Sequence, residues 1–74
     1  MLPLDEKWAA YLRAQPETGM GYQVVSITTT DGNVYPRVIV DGGFVTRVRG
    51  YDDIPFSADH IHGIQVNHEK WEDA

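Results

Sequence analysis

The sequence has 74 residues, enough for one small domain. It carries 11 acidic residues against 6 lysines and arginines, which gives a net charge of -5. It contains no cysteine, which excludes disulfide bonds, thiolate metal ligands and a cysteine nucleophile. Because the sequence has neither an apolar run of about 18 residues nor a leader-like N-terminus, we expect a cytoplasmic protein that does not enter a membrane.

The N-terminal segment is predicted to form a helix over residues 1–15. Its apolar residues recur at helical spacing and form one stripe. The stripe consists of Leu4, Trp8, Tyr11 and Leu12. Pro3 suits the first turn of a helix, and Pro16 ends it because the residue before a proline disfavours the α conformation. A helix this short is marginal alone, so we expect its apolar stripe to dock on the rest of the protein.

Three β-strands are predicted after a linker rich in glycine and proline. They cover residues 22–30, 34–40 and 44–49, which are dense in β-branched residues. The tight-turn sequences DGN and DGG separate them. These two turns predict that consecutive strands pair as antiparallel hairpins.

Two further predictions concern the second and third strands: the place of Pro36 in the sheet and the faces of the third strand. Pro36 cannot donate a ladder hydrogen bond, so it predicts either a sheet edge or a bulge at that point. Strict alternation along the third strand predicts that Val45, Arg47 and Arg49 share one face of the sheet. The opposite face would then carry the apolar partners that pack in the core.

The C-terminal third is predicted to add a one-turn helix and a last strand. Ser57 has the residue type of an N-cap for a single helical turn that ends at His60. The alternation over residues 64–68 predicts the last strand, and residues 69–74 form an acidic tail.

Short strands with turns between them predict a mainly β (α+β) fold. We expect one domain over residues 1–74, in which residues 22–68 form a small barrel of four to five antiparallel strands. Closure of the barrel would hide the strand edges that a short open sheet exposes. The N-terminal helix would cover one end of the barrel.

This order of elements is similar to that of SH3-like and Sm-like small barrels, in which a one-turn helix precedes the last strand. In addition, the stretches PETGMGYQVV, TTTDGNVYPRVIV, TRVRGYDDIPFS and IQVNHEKW resemble a set of short, uncharacterised bacterial proteins. This second resemblance covers nearly the whole chain. It implies a protein that stands alone, and it implies no activity and no catalytic residues.

A cationic and aromatic patch is the main candidate binding surface. Arg47 and Arg49 lie two residues apart on one strand and project to the same face, with Tyr51 continuing it. Arg37 on the neighbouring strand would join them if the register allows, and Tyr35 beside Pro36 is expected to be exposed. Arginine and tyrosine are favoured anchors at interfaces. The alternative is a solvated strand face whose arginines pair with the acidic tail.

The histidines and the residues around them do not predict a reactive centre. A metal site would need His60, His62 and His68 to converge, and their spacing matches no established zinc motif. Ser57, Asp59 and His60 lie too close together in sequence for a catalytic triad. We therefore predict no metal, no cofactor and no catalytic residue.

These observations favour a non-enzymatic interaction module that binds a protein partner through a strand edge and the Arg/Tyr face. The alternative is RNA or DNA binding through an Sm-like barrel surface. The acidic loop that contains Asp52 and Asp53 makes nucleic acid the less favoured partner. Self-association is also expected, because the core is small and strand edges remain open.

Overall fold

The computed structural model describes residues 1–67. In this part of the chain, five antiparallel strands curl into a half-barrel in the order β1-β4-β3-β2-β5. The elements in chain order are β1 (Leu2–Pro3), α1 (Glu6–Arg13), β2 (Gln23–Thr29), β3 (Val34–Asp41), β4 (Phe44–Val48), a 3-10 turn (Ala58–His60) and β5 (Ile61–Val66). The predicted fold class is confirmed, and the predicted last strand begins three residues earlier than expected.

The first residues form a short strand, so the prediction of a helix from residue 1 is wrong. Leu2 pairs with Val45 and Pro3 with Phe44, which makes β1 an edge strand. A proline is tolerated on an edge because the ladder there does not require its missing N–H. The helix starts at Glu6, after Asp5, whose carbonyl accepts the first helical hydrogen bonds.

Helix α1 docks through a stripe that differs from the predicted one. Ala9 and Leu12 are buried and Trp8 is half-buried, whereas Tyr11 is 39% exposed. Alanine can lie close against the sheet because it has no long side chain. The helix therefore buries a narrower face, with Leu12 as its contribution to the core.

A buried glutamine joins the end of α1 to the sheet. The two N–H donors of the Gln23 side-chain amide are shared among the carbonyl oxygens of Leu12, Gln15 and Pro16, which lie 2.8, 3.2 and 3.1 Å from its nitrogen. The Leu12 carbonyl oxygen also accepts the Gln15 N–H at 3.0 Å, and Gln15 and Pro16 follow the helix end, so the amide adds a donor to backbone carbonyls at and just after the last turn of the helix. Gln23 performs this role from the first position of β2 and is itself only 7% exposed.

The core lies on the concave face of the half-barrel. Valines and isoleucines from β2 to β5 supply most of it, joined by Leu12 and Tyr35. The buried cluster consists of Leu12, Val25, Ile27, Tyr35, Val38, Val40, Val45, Val48, Ile61 and Ile64. Burial of these side chains provides most of the stabilising free energy available to so small a chain.

A bulge in β4 overturns the predicted faces of that strand. Val40 pairs with Val45 and Ile39 with Arg47, so Thr46 is an extra residue outside the ladder register, and its hydroxyl donates to the Ile39 carbonyl oxygen at 3.3 Å. The bulge reverses the alternation, and Val45 and Val48 both point into the core. Val45 therefore does not share the face of Arg47, as strict alternation predicts.

The turn after β3 follows the prediction from its sequence. Gly42 and Gly43 have φ angles of 59° and 85° between the paired residues Asp41 and Phe44. Positive φ at both central positions characterises the type I′ turn, which matches the twist of a two-stranded hairpin. Ser57 occupies the N-cap position of the 3-10 turn, but its side chain makes no capping hydrogen bond.

Candidate binding surface

Two of the predicted arginines line one groove on the protein surface. The groove is open, has a volume of about 390 Å³, and is formed by Pro36, Arg37, Arg49 and Gly50. It lies where β3 continues past the end of β4. Its position places two guanidinium-bearing residues next to a rigid proline ring.

The groove is formed by a bulge in β3. Val25 pairs with Val38, but the next pair joins Ile27 to Tyr35, so Pro36 and Arg37 together oppose one residue of β2. Pro36 therefore lies at a bulge of an interior strand, so the second of the two predicted alternatives, a bulge and not a sheet edge, is confirmed. A bulge accommodates proline because the regular ladder is already interrupted there.

A backbone hydrogen bond holds the two arginines opposite each other. The Arg49 N–H donates to the carbonyl oxygen of Arg37 at 3.0 Å, just beyond the last ladder pair of β4. Since Val38 and Val48 point into the core, alternation directs Arg37 and Arg49 to the convex face. We expected Arg37 to join the other arginines if the strand register allowed it. The register of β3 against β4 does bring Arg37 next to Arg49.

Tyr35 is buried, so the prediction that it is exposed is wrong. It is 9% exposed and packs between Tyr51 and Phe56, with ring centroids 5.6 and 5.1 Å away. The bulge at Pro36 and Arg37 turns Tyr35 to the concave face, opposite the face that simple alternation gives it. Tyr35 thereby supports the neighbouring surface from below.

Tyr51 is the aromatic residue of this region that solvent reaches. It follows Gly50, whose φ of 88° turns the chain, and its N–H donates to the carbonyl oxygen of Val48 at 3.1 Å. The ring is 53% exposed while its edge contact with Tyr35 fixes its orientation. A rigid, half-exposed tyrosine loses little side-chain entropy when a partner covers it.

The remaining predicted residue, Arg47, is exposed on the same convex face. It pairs with Ile39 in the ladder and lies two residues before Arg49, outside the groove itself. The predicted contacts between these arginines and the acidic tail involve residues outside the described part of the chain. We call Arg37, Arg47 and Arg49 the arginine face. Tyr51 lies beside it in the chain, with its ring against Tyr35 of the core.

Asn67, the residue that follows β5, is hydrogen-bonded to the bulge in β3. The Asn67 side-chain amide donates to the Pro36 carbonyl oxygen at 3.0 Å, and its backbone N–H lies 3.5 Å from the carbonyl oxygen of Val24. These bonds fix the end of β5 beside the bulge. The rim of the groove is therefore formed by strands β3 and β4 with support from the residue after β5.

The histidine region does not assemble a metal site within residues 1–67, where no group of three or more potential ligands is found. His60 Nδ1 lies 3.1 Å from the Ser57 hydroxyl, and both His60 and His62 are exposed. His68 lies outside the described residues. Hydrogen bonding from Ser57 lowers the pKa of the Asp59 carboxyl, with a smaller contribution from the charge of His60.

A second cavity, of about 470 Å³, separates α1 from the turn between β3 and β4. Ala9, Leu12, Gln23 and Gly43 are among the residues that line it. Two polar side chains that line the cavity already have partners in the protein. The Gln23 amide donates to the Leu12 carbonyl oxygen, and the Arg13 guanidinium pairs with the Glu6 carboxylate at 2.5 Å. No local pattern predicts this cavity, because residues from the helix, from β2 and from the turn after β3 meet there only in the folded protein.

Searches with this sequence and structure against protein-family models, curated proteins and solved structures find no match. No helix in the part of the chain that the structure describes is long and apolar enough to cross a membrane. The surface must therefore be interpreted from its own chemistry.

Proposed function

We propose that this protein is a non-enzymatic interaction module that binds an acidic segment of a partner protein on the arginine face. The observation that carries the proposal is the groove in which Arg37 and Arg49 face each other beside Pro36. The strand order and the 3-10 turn before β5 support classification as an SH3-like or Sm-like variant, a fold type that hosts many binding functions.

The chemistry of the groove favours carboxylates as ligands. A guanidinium offers planar, paired donors that match a carboxylate, and two arginines on adjacent strands offer two such forks. Arg47 extends the positive charge along the convex face, and Tyr51, which directly follows the groove residue Gly50, offers an exposed ring next to the groove. An extended peptide with acidic residues at alternate positions would match this spacing along the sheet.

The charges around the groove favour a short peptide over a nucleic acid. Asp52 and Asp53 are both exposed and directly follow Tyr51. A phosphate backbone that ran past Tyr51 would meet these carboxylates, whereas a peptide can place a neutral or basic residue there. The experiment must therefore distinguish binding of an acidic peptide from binding of a nucleic acid.

The test measures fluorescence anisotropy of a labelled octapeptide of alternating Glu and Ser. A matched Lys/Ser octapeptide and a 20-nucleotide single-stranded DNA serve as the other probes. We expect the acidic peptide to bind and each of Arg37→Gln and Arg49→Gln to weaken it by about tenfold, since a charge-assisted hydrogen bond contributes about 1.5–3 kcal/mol.

Arg13→Gln is the matched control, because it removes the same charge from the far end of α1. It should change the affinity by less than about twofold, since an exposed charge that distant is screened by salt. Equal losses in all three variants would show general charge attraction and contradict the proposal. Preference for the DNA probe over the acidic peptide would replace it with the nucleic-acid alternative.

A further inference from the structure

Strand β5 forms an edge of the sheet that is built differently from the opposite edge. In the order β1-β4-β3-β2-β5, only β2 pairs with β5 among the described residues. Along one side of an edge strand, alternate N–H and C=O groups face away from the sheet. This side of β5 is a template on which another strand can pair.

The opposite edge is protected against such pairing. Strand β1 has two residues and ends in Pro3, which lacks an N–H. Short length and proline are two of the devices by which sheet edges avoid association. Strand β5, by contrast, has six residues with the sequence IHGIQV, which contains no proline and no acidic or lysine side chain.

One irregularity limits the usable part of the β5 edge. Thr28 pairs with Gly63 and Thr29 with Ile61, so His62 is bulged out of the ladder. The run from Gly63 to Val66 remains regular. Within it, Ile64 is buried, Val66 is half-buried on the core side, and Gln65 is exposed on the convex side.

We propose that β5 pairs with β5 of a second copy of this chain to form a weak, two-fold symmetric dimer. Antiparallel pairing of a strand with itself is symmetric, so one edge suffices on each copy. The two half-barrels would then share one sheet of ten strands. Because β1 is blocked, the assembly closes at two copies and does not extend into a filament.

The charges of the chain favour this edge as the place where two copies meet. The chain has a net charge of -5, so most approaches of two copies bring like charges together. Strand β5 carries no carboxylate, so two copies can approach along it without repulsion between acidic side chains. Val66, half-buried in one copy, would gain cover from its counterpart across the new strand pair.

The test introduces opposite charges at one exposed position of β5. In any two-fold register within the regular run, the two Gln65 side chains lie opposite each other or one diagonal step apart, within about 8 Å. We therefore expect Gln65→Lys and Gln65→Glu each to weaken the dimer in sedimentation equilibrium by about tenfold. Mixing the two variants should restore association as a heterodimer.

Ala10→Lys is the matched control, since Ala10 is exposed on α1 and the added charge is the same. It should leave the dimerisation constant within about twofold of wild type. Circular dichroism confirms that each variant is folded. Wild-type protein that stays monomeric up to about 1 mM overturns the proposal. A dimer that Gln65→Lys and Gln65→Glu leave unchanged overturns it as well.

Discussion

The side-chain amide of Gln23 donates a hydrogen bond to the carbonyl oxygen of Leu12 at 2.8 Å, which ties the end of the helix to the start of β2. The same amide lies within hydrogen-bond distance of the carbonyl oxygens of Gln15 and Pro16. One buried polar group thus serves three backbone acceptors. The helix is too short to be stable alone, so this attachment holds it on the sheet.

Replacement of that glutamine should destabilise the protein. In Gln23→Ala the helix carbonyls lose a buried donor, and we expect the free energy of unfolding to fall by about 2 kcal/mol. For a domain of this size the melting temperature should fall by about 10 °C. Gln15→Ala is the control, because it keeps the Gln15 carbonyl and should have less than half the effect. Equal effects of the two variants would show that the hydrogen bonds from Gln23 contribute little.

The two tyrosines of the aromatic cluster should separate stability from binding. Tyr35→Ala removes a buried ring and should destabilise the fold by about 3 kcal/mol, as other large aromatic deletions do. Tyr51→Ala removes a half-exposed ring and should cost less than about 1 kcal/mol. Urea unfolding followed by circular dichroism measures both.

Peptide binding should depend more on the exposed Tyr51 than on the buried Tyr35. If Tyr51 covers part of a bound peptide, Tyr51→Ala should weaken the acidic octapeptide by about threefold to tenfold, in line with contact aromatic residues at interfaces. Tyr51→Phe should retain most of the affinity, since it keeps the ring. Full affinity of Tyr51→Ala would exclude Tyr51 from the binding surface.

Acid should destabilise the fold through Asp31. The Thr29 hydroxyl donates a hydrogen bond to the Asp31 carboxylate, and this bond, aided by the backbone N–H of Asn33, holds the pKa of Asp31 below its ordinary value of 3.8. A carboxyl with a lowered pKa stabilises the fold above its unfolded pKa. That stability is lost as the pH falls through the pKa of the folded state.

The measurement is the urea midpoint of wild type and Asp31→Asn between pH 7 and pH 2. Above about pH 5 the wild type should be the more stable protein, and the difference should shrink as the pH falls below 3.8. Parallel stability curves for the two proteins would show that Asp31 does not contribute to the acid transition.

The acidic residues at the C-terminus give a further prediction. Glu69, Glu72 and Asp73 follow Asn67 by two to six residues, which is about 20 Å of extended chain at most. Carboxylates tethered by so short a chain can compete with an added acidic peptide, and we expect this competition to weaken peptide binding. A variant with Glu69→Gln, Glu72→Gln and Asp73→Asn should bind the acidic octapeptide at least about threefold more tightly at low salt.

Salt provides the control for that effect. At about 1 M salt the Debye length is near 3 Å, and the advantage of the neutralised variant should disappear. Glu6→Gln, Glu17→Gln and Asp5→Asn, combined in one chain, remove the same charge near α1 and should have a smaller effect. Equal gains from the two triple variants would indicate a general effect of net charge.

The turns and strands were predictable because their signals are local. DGG predicts a type I′ turn from glycine alone, and β-branched runs mark β2 and β3 in the sequence. The position of Arg37 opposite Arg49 does not follow from the turn alone. A regular ladder from this turn would place Arg37 opposite Val48, and the extra residue Thr46 brings Arg49 there instead. Local patterns were therefore sufficient for the fold class but not for this part of the arginine face.

The features that were missed depend on packing across strands. Nothing local in the sequence places an extra residue at Thr46 or turns Tyr35 inward, because a bulge is chosen by how two faces fit the core. The first residues were assigned to the helix because Pro3 suits both a helix start and a sheet edge. The burial of Gln23 was also missed, because a polar residue at the start of a strand is usually exposed to solvent.

The bulge at Thr46 is a position where β4 can lose a single residue. Deletion of Thr46 would leave Val45 paired with Val40 and Arg47 paired with Ile39, and it would restore strict alternation, so Val45 and Val48 would still point into the core. A deletion of one residue elsewhere in the strand shifts the register and turns part of its side chains to the opposite face. Through evolutionary time, changes of one residue in the length of β4 should therefore be concentrated at this position.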